Sequence, residues 1–105
     1  MPYHLYCIEL DREVLDVRRF SARNPDHRED KPCVYVGSTA LDPEERFRQH
    51  KKGYKANRYA LKFGVRLRPR NTENYGPFDT REEAETAEAK LASRLRKKGY
   101  AVWFG

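Results

Sequence analysis

The sequence has few cysteines and no long apolar run, and both features limit what this protein can be. No apolar stretch approaches the roughly 20 residues that a membrane-spanning helix needs, and the first residues, Met-Pro-Tyr-His, do not show the basic and then apolar pattern of a secretory signal. Two cysteines are too few for a disulfide framework, and with the three histidines they show no zinc-ligand spacing. We therefore expect a cytoplasmic protein with no membrane segment and no structural zinc.

The length and composition indicate one small globular domain. At 105 residues the chain is expected to form a single domain, residues 1–105, with a modest core. Charged residues make up 36% and hydrophobic residues 38%, which is polar for a globular protein. Aromatic residues at 12% are too frequent for a disordered chain, so we expect a folded one.

Acidic residues are missing from one long stretch. Residues 46–70 contain ten Lys or Arg and no Asp or Glu, and aromatic residues are interleaved with these cations. Cations and flat rings suit a nucleic-acid backbone and its bases, whereas an ordinary solvated basic surface is the simpler interpretation. We favour a nucleic-acid partner, with DNA ahead of RNA. The predicted nucleic-acid-binding residues are Lys51, Lys52, Lys55, Arg58, Lys62, Arg66 and Arg68.

Local signals predict an α+β fold. Three strands are predicted over residues 3–10, 33–37 and 65–69, with the first two antiparallel because no crossover helix is evident between them. Helices are predicted between Asp42 and Gly53, over residues 57–62, and between Thr80 and Gly99, from their capping residues. The expected architecture is a small, mainly antiparallel three-stranded sheet flanked by helices. Residues 100–104 are predicted to form a final strand or a docking tail.

Residues 11–32 are predicted to be a charged insertion between the first two strands. Their weak apolar cluster of Val14, Leu15, Val17 and Phe20 is compatible with a short helix or an extended arm. In the helix that follows the second strand, Phe47 is the predicted core anchor because it lies about 100° from the polar face.

The second strand and the helix after it bring polar groups together. Tyr35 leaves the strand towards the region that Arg46 and His50 reach from the helix, since residues four apart lie on one helix face. For Tyr6 or Tyr35 taken alone, ordinary packing at the edge of the core is as good an interpretation as a functional role. The set of groups is nevertheless the best functional indication in the chain.

One glutamate of the last helix is expected to be buried. At about 100° per residue, Glu88 falls within the apolar stripe, some 40° from Ala84. A buried carboxylate needs a partner or a metal ion. Either Glu88 pairs with an inward arginine such as Arg46 for structural reasons, or it binds a metal ion.

These residues, in this order, resemble the GIY-YIG nuclease superfamily. The resemblance lies in Leu5-Tyr6 in the first strand, Tyr35-Val36-Gly37 in the second, an arginine and then a histidine on the next helix, and a lone glutamate on a later helix. It covers nearly the whole chain. The sequence differs from the family pattern in the first motif, where His4-Leu5-Tyr6 replaces the glycine and isoleucine, and in lacking an asparagine just after the glutamate helix.

The resemblance implies a metal-dependent endonuclease. Glu88 would bind one divalent ion, Mg²⁺ or Mn²⁺, and Tyr35 would take a proton from the attacking water. Arg46 would bind the scissile phosphate and lower the pKa of Tyr35 by its charge. His50 would contact the same phosphate or relay a proton, and Tyr6 would hydrogen-bond within the network.

Two alternatives to an active nuclease remain open. The altered first motif and the missing asparagine are compatible with a nucleic-acid-binding module that has lost catalysis. The short chain is compatible with an interaction domain of a larger complex. A homodimer or a protein partner would then supply specificity, since little beyond the catalytic fold is left to recognise bases.

Overall fold

The structure, a computed structural model that describes residues 2–105, contains one four-stranded mixed sheet. Its strands are β1 (His4–Leu10), β2 (Cys33–Thr39), β3 (Gly64–Leu67) and β4 (Ala101–Phe104), arranged in the order β3-β1-β2-β4. β1 pairs antiparallel with β2, as predicted, and it also pairs antiparallel with β3, whereas β4 pairs parallel with β2. The α+β class is confirmed, but the predicted sheet was short by one strand.

The fourth strand forms because both of its edges find partners. Residues Cys33 to Val36 pair with Ala101 to Phe104 on the inner edge. On the outer edge, the amide of Val102 donates to Asn24 Oδ1 at 2.7 Å, and Asn24 Nδ2 donates to the Val102 carbonyl at 3.1 Å. The buried Asn24 side chain thus pairs with the backbone of Val102 as a neighbouring strand would. Because the two residues are far apart in the chain, no local sequence pattern predicts this pairing.

The helices are α1 (Arg18–Ala22), α2 (Pro43–Lys52), α3 (Arg58–Phe63) and α4 (Arg81–Lys97). The last three lie where helices were predicted, whereas no capping residue was predicted for α1. Asp42 Oδ1 accepts from the Glu44 amide at 2.9 Å at the start of α2, and Gly53 ends it with a φ of 82°. Thr80 and Glu83 form the predicted capping box of α4. None of the helices in residues 2–105 is long and apolar enough to cross a membrane.

The sheet has a core on each face. One cluster contains Tyr6, Ile8 and Tyr35 and is covered by α1, α2 and α3, and the other contains Val34 and Val36 and is covered by α4. Both cysteines are free and buried in these clusters.

The segment of residues 11–32 contributes to the core instead of lying outside it. It forms a 3₁₀ turn (Arg12–Asp16) and the short helix α1. Val14 and Phe20 are completely buried in the first cluster. The predicted charged insertion thus supplies apolar cover for one face of the sheet, and of its two predicted forms the short helix is the one observed.

Candidate active site

The five predicted catalytic residues line one cleft. This cleft has a volume of about 720 Å³ and lies between the sheet, α2, the turn that follows α2, and α4. The predicted residues that line it are Tyr6, Tyr35, Arg46, His50 and Glu88. Residues from β1, β2, α2 and α4 therefore meet at one place, although they are up to 82 positions apart in the chain, from Tyr6 to Glu88.

Three rings form the floor of the cleft. The ring centroids of Tyr6, Tyr35 and His50 are 6.1, 5.8 and 5.6 Å apart in the three pairs. The Tyr6 hydroxyl lies 2.8 Å from His50 Nε2, and the backbone amide of Asn57 donates to His50 Nδ1 at 3.2 Å. Since Nδ1 accepts this bond, neutral His50 carries its proton on Nε2 and donates it to the Tyr6 oxygen.

His50 is held as a neutral ring. Only 1% of its surface is exposed, and burial, with the charge of Arg46 as a second cause, lowers its pKa to about 4. Both ring nitrogens are occupied by protein partners. This is the arrangement of a residue that orients Tyr6. A direct contact of His50 with phosphate, or a proton relay through it, stays a prediction. Phe47, the predicted anchor of α2, is only partly buried, and His50 is the most buried residue of that helix.

A glycine opposite Tyr6 makes room for the ring. Tyr6 and Gly37 are paired across β1 and β2, and Gly37 is buried. A Cβ atom on Gly37 would collide with the hydroxyl and ring carbons of Tyr6, so the position requires glycine for close approach. Gly37, the third residue of the Tyr-Val-Gly motif, therefore lets Tyr6 reach His50.

Arg46 is attached to the turn after α2. Its Nη1 donates to Gln49 Oε1 at 3.0 Å and to the Tyr54 carbonyl at 3.2 Å, and its Nη2 donates to the Lys55 carbonyl at 2.8 Å. The side chain is half-buried. Arg46 and Glu88 form no ion pair. The alternative in which Glu88 pairs with Arg46 for structural reasons is therefore not observed.

Glu88 is buried as its helical phase predicts. Its exposed fraction is 5%, and burial raises its pKa, while the Ser38 side chain and the Gly105 backbone act in the opposite direction. Within residues 2–105 no group of three His, Cys, Asp or Glu side chains could hold a metal ion. A lone carboxylate does not suit zinc, but it suits Mg²⁺, which keeps several waters and takes phosphate oxygens as further ligands.

The two tyrosine hydroxyls are protonated at neutral pH. Burial raises the pKa of Tyr35 strongly, and the neighbouring Tyr6 and Glu88 raise it further, whereas Arg46 lowers it by less. Burial also raises the pKa of Tyr6, opposed by Arg46 and Tyr35. The charge of Arg46 therefore lowers the pKa of Tyr35, as expected, but desolvation outweighs this effect and the pKa of Tyr35 stays above its ordinary value.

The predicted nucleic-acid-binding residues divide into two groups. Lys55 and Arg58 line the cleft. The others lie away from it, on α2, α3 and β3 and, for Arg68, directly after β3. Two of them are engaged with Glu9, since Arg68 Nη1 lies 3.0 Å and Arg66 Nη1 3.8 Å from its carboxylate oxygens. The remaining members outside the cleft are Lys51, which donates to the carbonyls at the end of α3, and the exposed Lys52 and Lys62.

Sequence reasoning missed the residues that hold this site in place. The backbone amide of Asn57 bonds His50, and Glu88 is bonded by the Ser38 side chain and by the backbone of Gly105. No sequence pattern marks such groups. Asn57 was predicted only as a helix start, and its side chain does cap α3 by accepting from the Tyr59 amide at 2.8 Å. Its backbone amide contact with His50 depends on the path of the turn after α2 and could not have been predicted from local sequence.

The fold is that of a nuclease-type catalytic domain. The profile of the GIY-YIG family, described as the GIY-YIG catalytic domain, matches residues 22–101. The chain therefore belongs to the GIY-YIG family, whose members are typically nucleases. The match includes Tyr35, Arg46, His50 and Glu88, and Tyr6 lies before it. Comparisons with curated proteins and with solved structures found no match.

Proposed function

We propose that this protein is a metal-dependent endonuclease that hydrolyses phosphodiester bonds in nucleic acid, with DNA as the favoured substrate. One observation carries the proposal: a phenol, a guanidinium and a carboxylate, those of Tyr35, Arg46 and Glu88, line the same cleft. A phosphate-binding cation, a proton acceptor and an oxygen ligand for a divalent ion are the groups that this hydrolysis needs.

Arg46 is suited to bind the scissile phosphate. A guanidinium has five N–H donors, and the three hydrogen bonds to Gln49, Tyr54 and Lys55 leave two of them available. These bonds also fix the plane of the guanidinium, which favours two-pronged binding of phosphate oxygens. Because no carboxylate of the described residues 2–105 forms an ion pair with Arg46, its positive charge is available to the substrate.

Tyr35 is the proposed acceptor of the proton from the attacking water. Its raised pKa keeps it protonated in the protein alone, so a further positive charge must act on it before it can serve as a base. Tyr6 lies beside it and is oriented by His50. We propose that this pair holds the Tyr35 hydroxyl in one direction, towards the cleft.

Glu88 is the proposed ligand of Mg²⁺ or Mn²⁺. When bound, the ion would supply the charge that lowers the pKa of the attacking water and of Tyr35 and that stabilises the leaving oxygen. The carboxylate is buried at the wall of the cleft, and this burial is the main cause of its raised pKa. Ser38 also lines the cleft, and a hydrogen bond from its side chain acts in the opposite direction on the pKa of Glu88. A second copy of the chain or a protein partner that supplies specificity is also part of the proposal.

The decisive experiment compares two glutamates of α4. Purified protein is incubated with plain, nicked and branched DNA, and with RNA of the same sequences, with Mg²⁺ or with chelator. Glu88→Gln keeps the shape of the side chain but removes its charge, and the matched control is Glu82→Gln, on the exposed face of the same helix and away from the cleft. We expect cleavage by the wild type and by Glu82→Gln, and none by Glu88→Gln.

Tyr35→Phe provides a separate test of the base. Removal of one general base slows a reaction by about 10²- to 10⁴-fold, so we expect a loss in this range with unchanged binding of DNA. Cleavage that persists in chelator or in Glu88→Gln would contradict the proposed chemistry. Binding without cleavage in every condition would favour the alternative of a binding module, which the strongly raised pKa of Tyr35 also supports.

A further inference from the structure

Tyr54 differs from every other aromatic residue of this chain. The sequence contains 13 aromatic residues, one Trp, seven Tyr and five Phe, all of which lie within the described residues. Twelve are buried or partly buried, and Tyr54 alone is exposed, with 56% of its surface open to solvent. It lines the cleft that contains Arg46 and Glu88. The ring therefore has a face open to the cleft, where it is available to stack on a flat ligand group.

The backbone holds this ring in a defined place. Gly53 has a φ of 82°, and the Tyr54 amide donates to the Gln49 carbonyl at 2.9 Å. Lys55 has a φ of 45°, and it is the one residue other than glycine with positive φ within residues 2–105. This conformation is unfavourable for a residue with a Cβ atom, and such strain persists where surrounding contacts maintain it.

Arg46 supplies those contacts. Its guanidinium binds the carbonyls of both Tyr54 and Lys55, at 3.2 and 2.8 Å. The proposed phosphate-binding group is thus bonded directly to the backbone that carries the exposed ring. A nucleotide whose phosphate lies at Arg46 would have its own base, or the base of its neighbour, close to Tyr54.

The surroundings of the ring favour a nucleobase over another apolar ligand. Lys55 Nζ lies over the Tyr54 ring, 5.6 Å from its centroid, and Arg58 lines the same cleft. No acidic residue occurs in residues 46–70, so phosphates on either side of a stacked base would meet only cations from this segment. Cations beside an open ring form the usual surface for binding single-stranded nucleic acid.

We propose that Tyr54 stacks on an unpaired base next to the scissile phosphate, so that the preferred substrates contain a single-stranded nucleotide at the cleavage site. This inference rests on the proposed function. Within a continuous duplex both faces of a base are covered by its neighbours, and only an unpaired or terminal base offers a face to a protein ring. Stacking tolerates any base, so the selection is for structure and not for sequence.

Binding to three DNA probes tests the inference. The probes are a blunt duplex, the same duplex with a short single-stranded flap, and the same flap built from abasic nucleotides, which keeps the phosphates and removes the bases. Dissociation constants are measured by fluorescence anisotropy in chelator, so that no cleavage interferes. The proteins are the wild type, Tyr54→Ala, Tyr54→Phe and Lys62→Ala, whose exposed cation lies outside the cleft.

We expect the wild type to bind the flap with bases at least about 5-fold more tightly than the abasic flap. Tyr54→Ala should lose this preference and keep its affinity for the duplex, and Tyr54→Phe should retain the preference because the ring is kept. Lys62→Ala should weaken binding to all three probes by the same factor. Because Tyr54 is exposed, circular dichroism is expected to show that these variants fold.

Each contrary outcome has its own meaning. If the wild type binds the two flaps equally, or if Tyr54→Ala keeps the preference, the stacking inference is wrong while the proposed nuclease function stands. If the wild type binds none of the probes, and neither cleaves nor binds RNA, the proposed function fails and the inference fails with it.

Discussion

Replacing His50 by glutamine should remove a pH-dependent part of the stability of this protein. In the folded chain the pKa of His50 is lowered from 6.5 to about 4, chiefly by burial. Between these two values the unfolded chain binds a proton that the folded chain does not. The stabilisation is therefore complete above about pH 6.5 and is lost as the pH falls towards 4.

The difference between the two pKa values sets the size of the effect. It corresponds to about 3 kcal/mol at most. Since the ring is only 1% exposed, little of this is lost to solvent screening, and we expect about 2 kcal/mol between pH 7 and pH 4.5. Glutamine can still accept from the Asn57 amide and donate to Tyr6, so the variant should fold.

Urea unfolding at both pH values measures the effect. The wild type should lose about 2 kcal/mol more than His50→Gln on acidification. The control is His4→Gln, at the partly exposed start of β1, which should follow the wild type. Titration of the histidine signals by nuclear magnetic resonance should show His50 neutral, with its proton on Nε2, down to about pH 5. Parallel loss of stability in the wild type and in His50→Gln, or titration of His50 above pH 6, would refute the reasoning.

Three further substitutions test other parts of the structure. Gly37→Ala should lower the free energy of unfolding by about 1–3 kcal/mol in urea, because its methyl group collides with Tyr6, and adding Tyr6→Ala should reverse part of this loss; simple additivity would contradict the contact. Tyr59→Phe should raise the free energy of unfolding by about 1 kcal/mol, because the buried Tyr59 hydroxyl has no hydrogen-bond partner among residues 2–105, and a clear decrease would contradict this. Glu88→Gln should raise the melting temperature in chelator at neutral and higher pH, with a gain that disappears near pH 4, because the folded pKa lies above the ordinary 4.5 and the ionised form destabilises the fold; an equal gain at every pH would exclude this cause.

The elements of this fold follow from local chemistry that can be read in the sequence. Asp42 and Gly53 bound α2, and the capping box at Thr80 begins α4, because each cap acts within four residues of the helix end. The helical phase of Glu88 predicted its burial for the same reason, since the apolar stripe of α4 determines which side faces the sheet. The candidate site residues were thus predictable as types and positions.

The contacts between these residues were decided by tertiary structure. The proton position on His50 depends on the amide of Asn57, seven residues away on a turn whose path no local pattern determines. β4 was uncertain in the sequence because its pairing with β2 and with Asn24 joins segments far apart in the chain.

The sequence alone therefore determined which groups this protein brings to its cleft, because helix phase, capping and strand alternation act over a few residues. Tertiary packing decided the pKa values of these groups and the hydrogen bonds that they form. Burial raised the pKa of Tyr35 by more than the charge of Arg46 lowered it. Arg46 was attached to the turn that presents Tyr54. Desolvation and long-range hydrogen bonds exist only once distant segments are packed together, and no local pattern contains them.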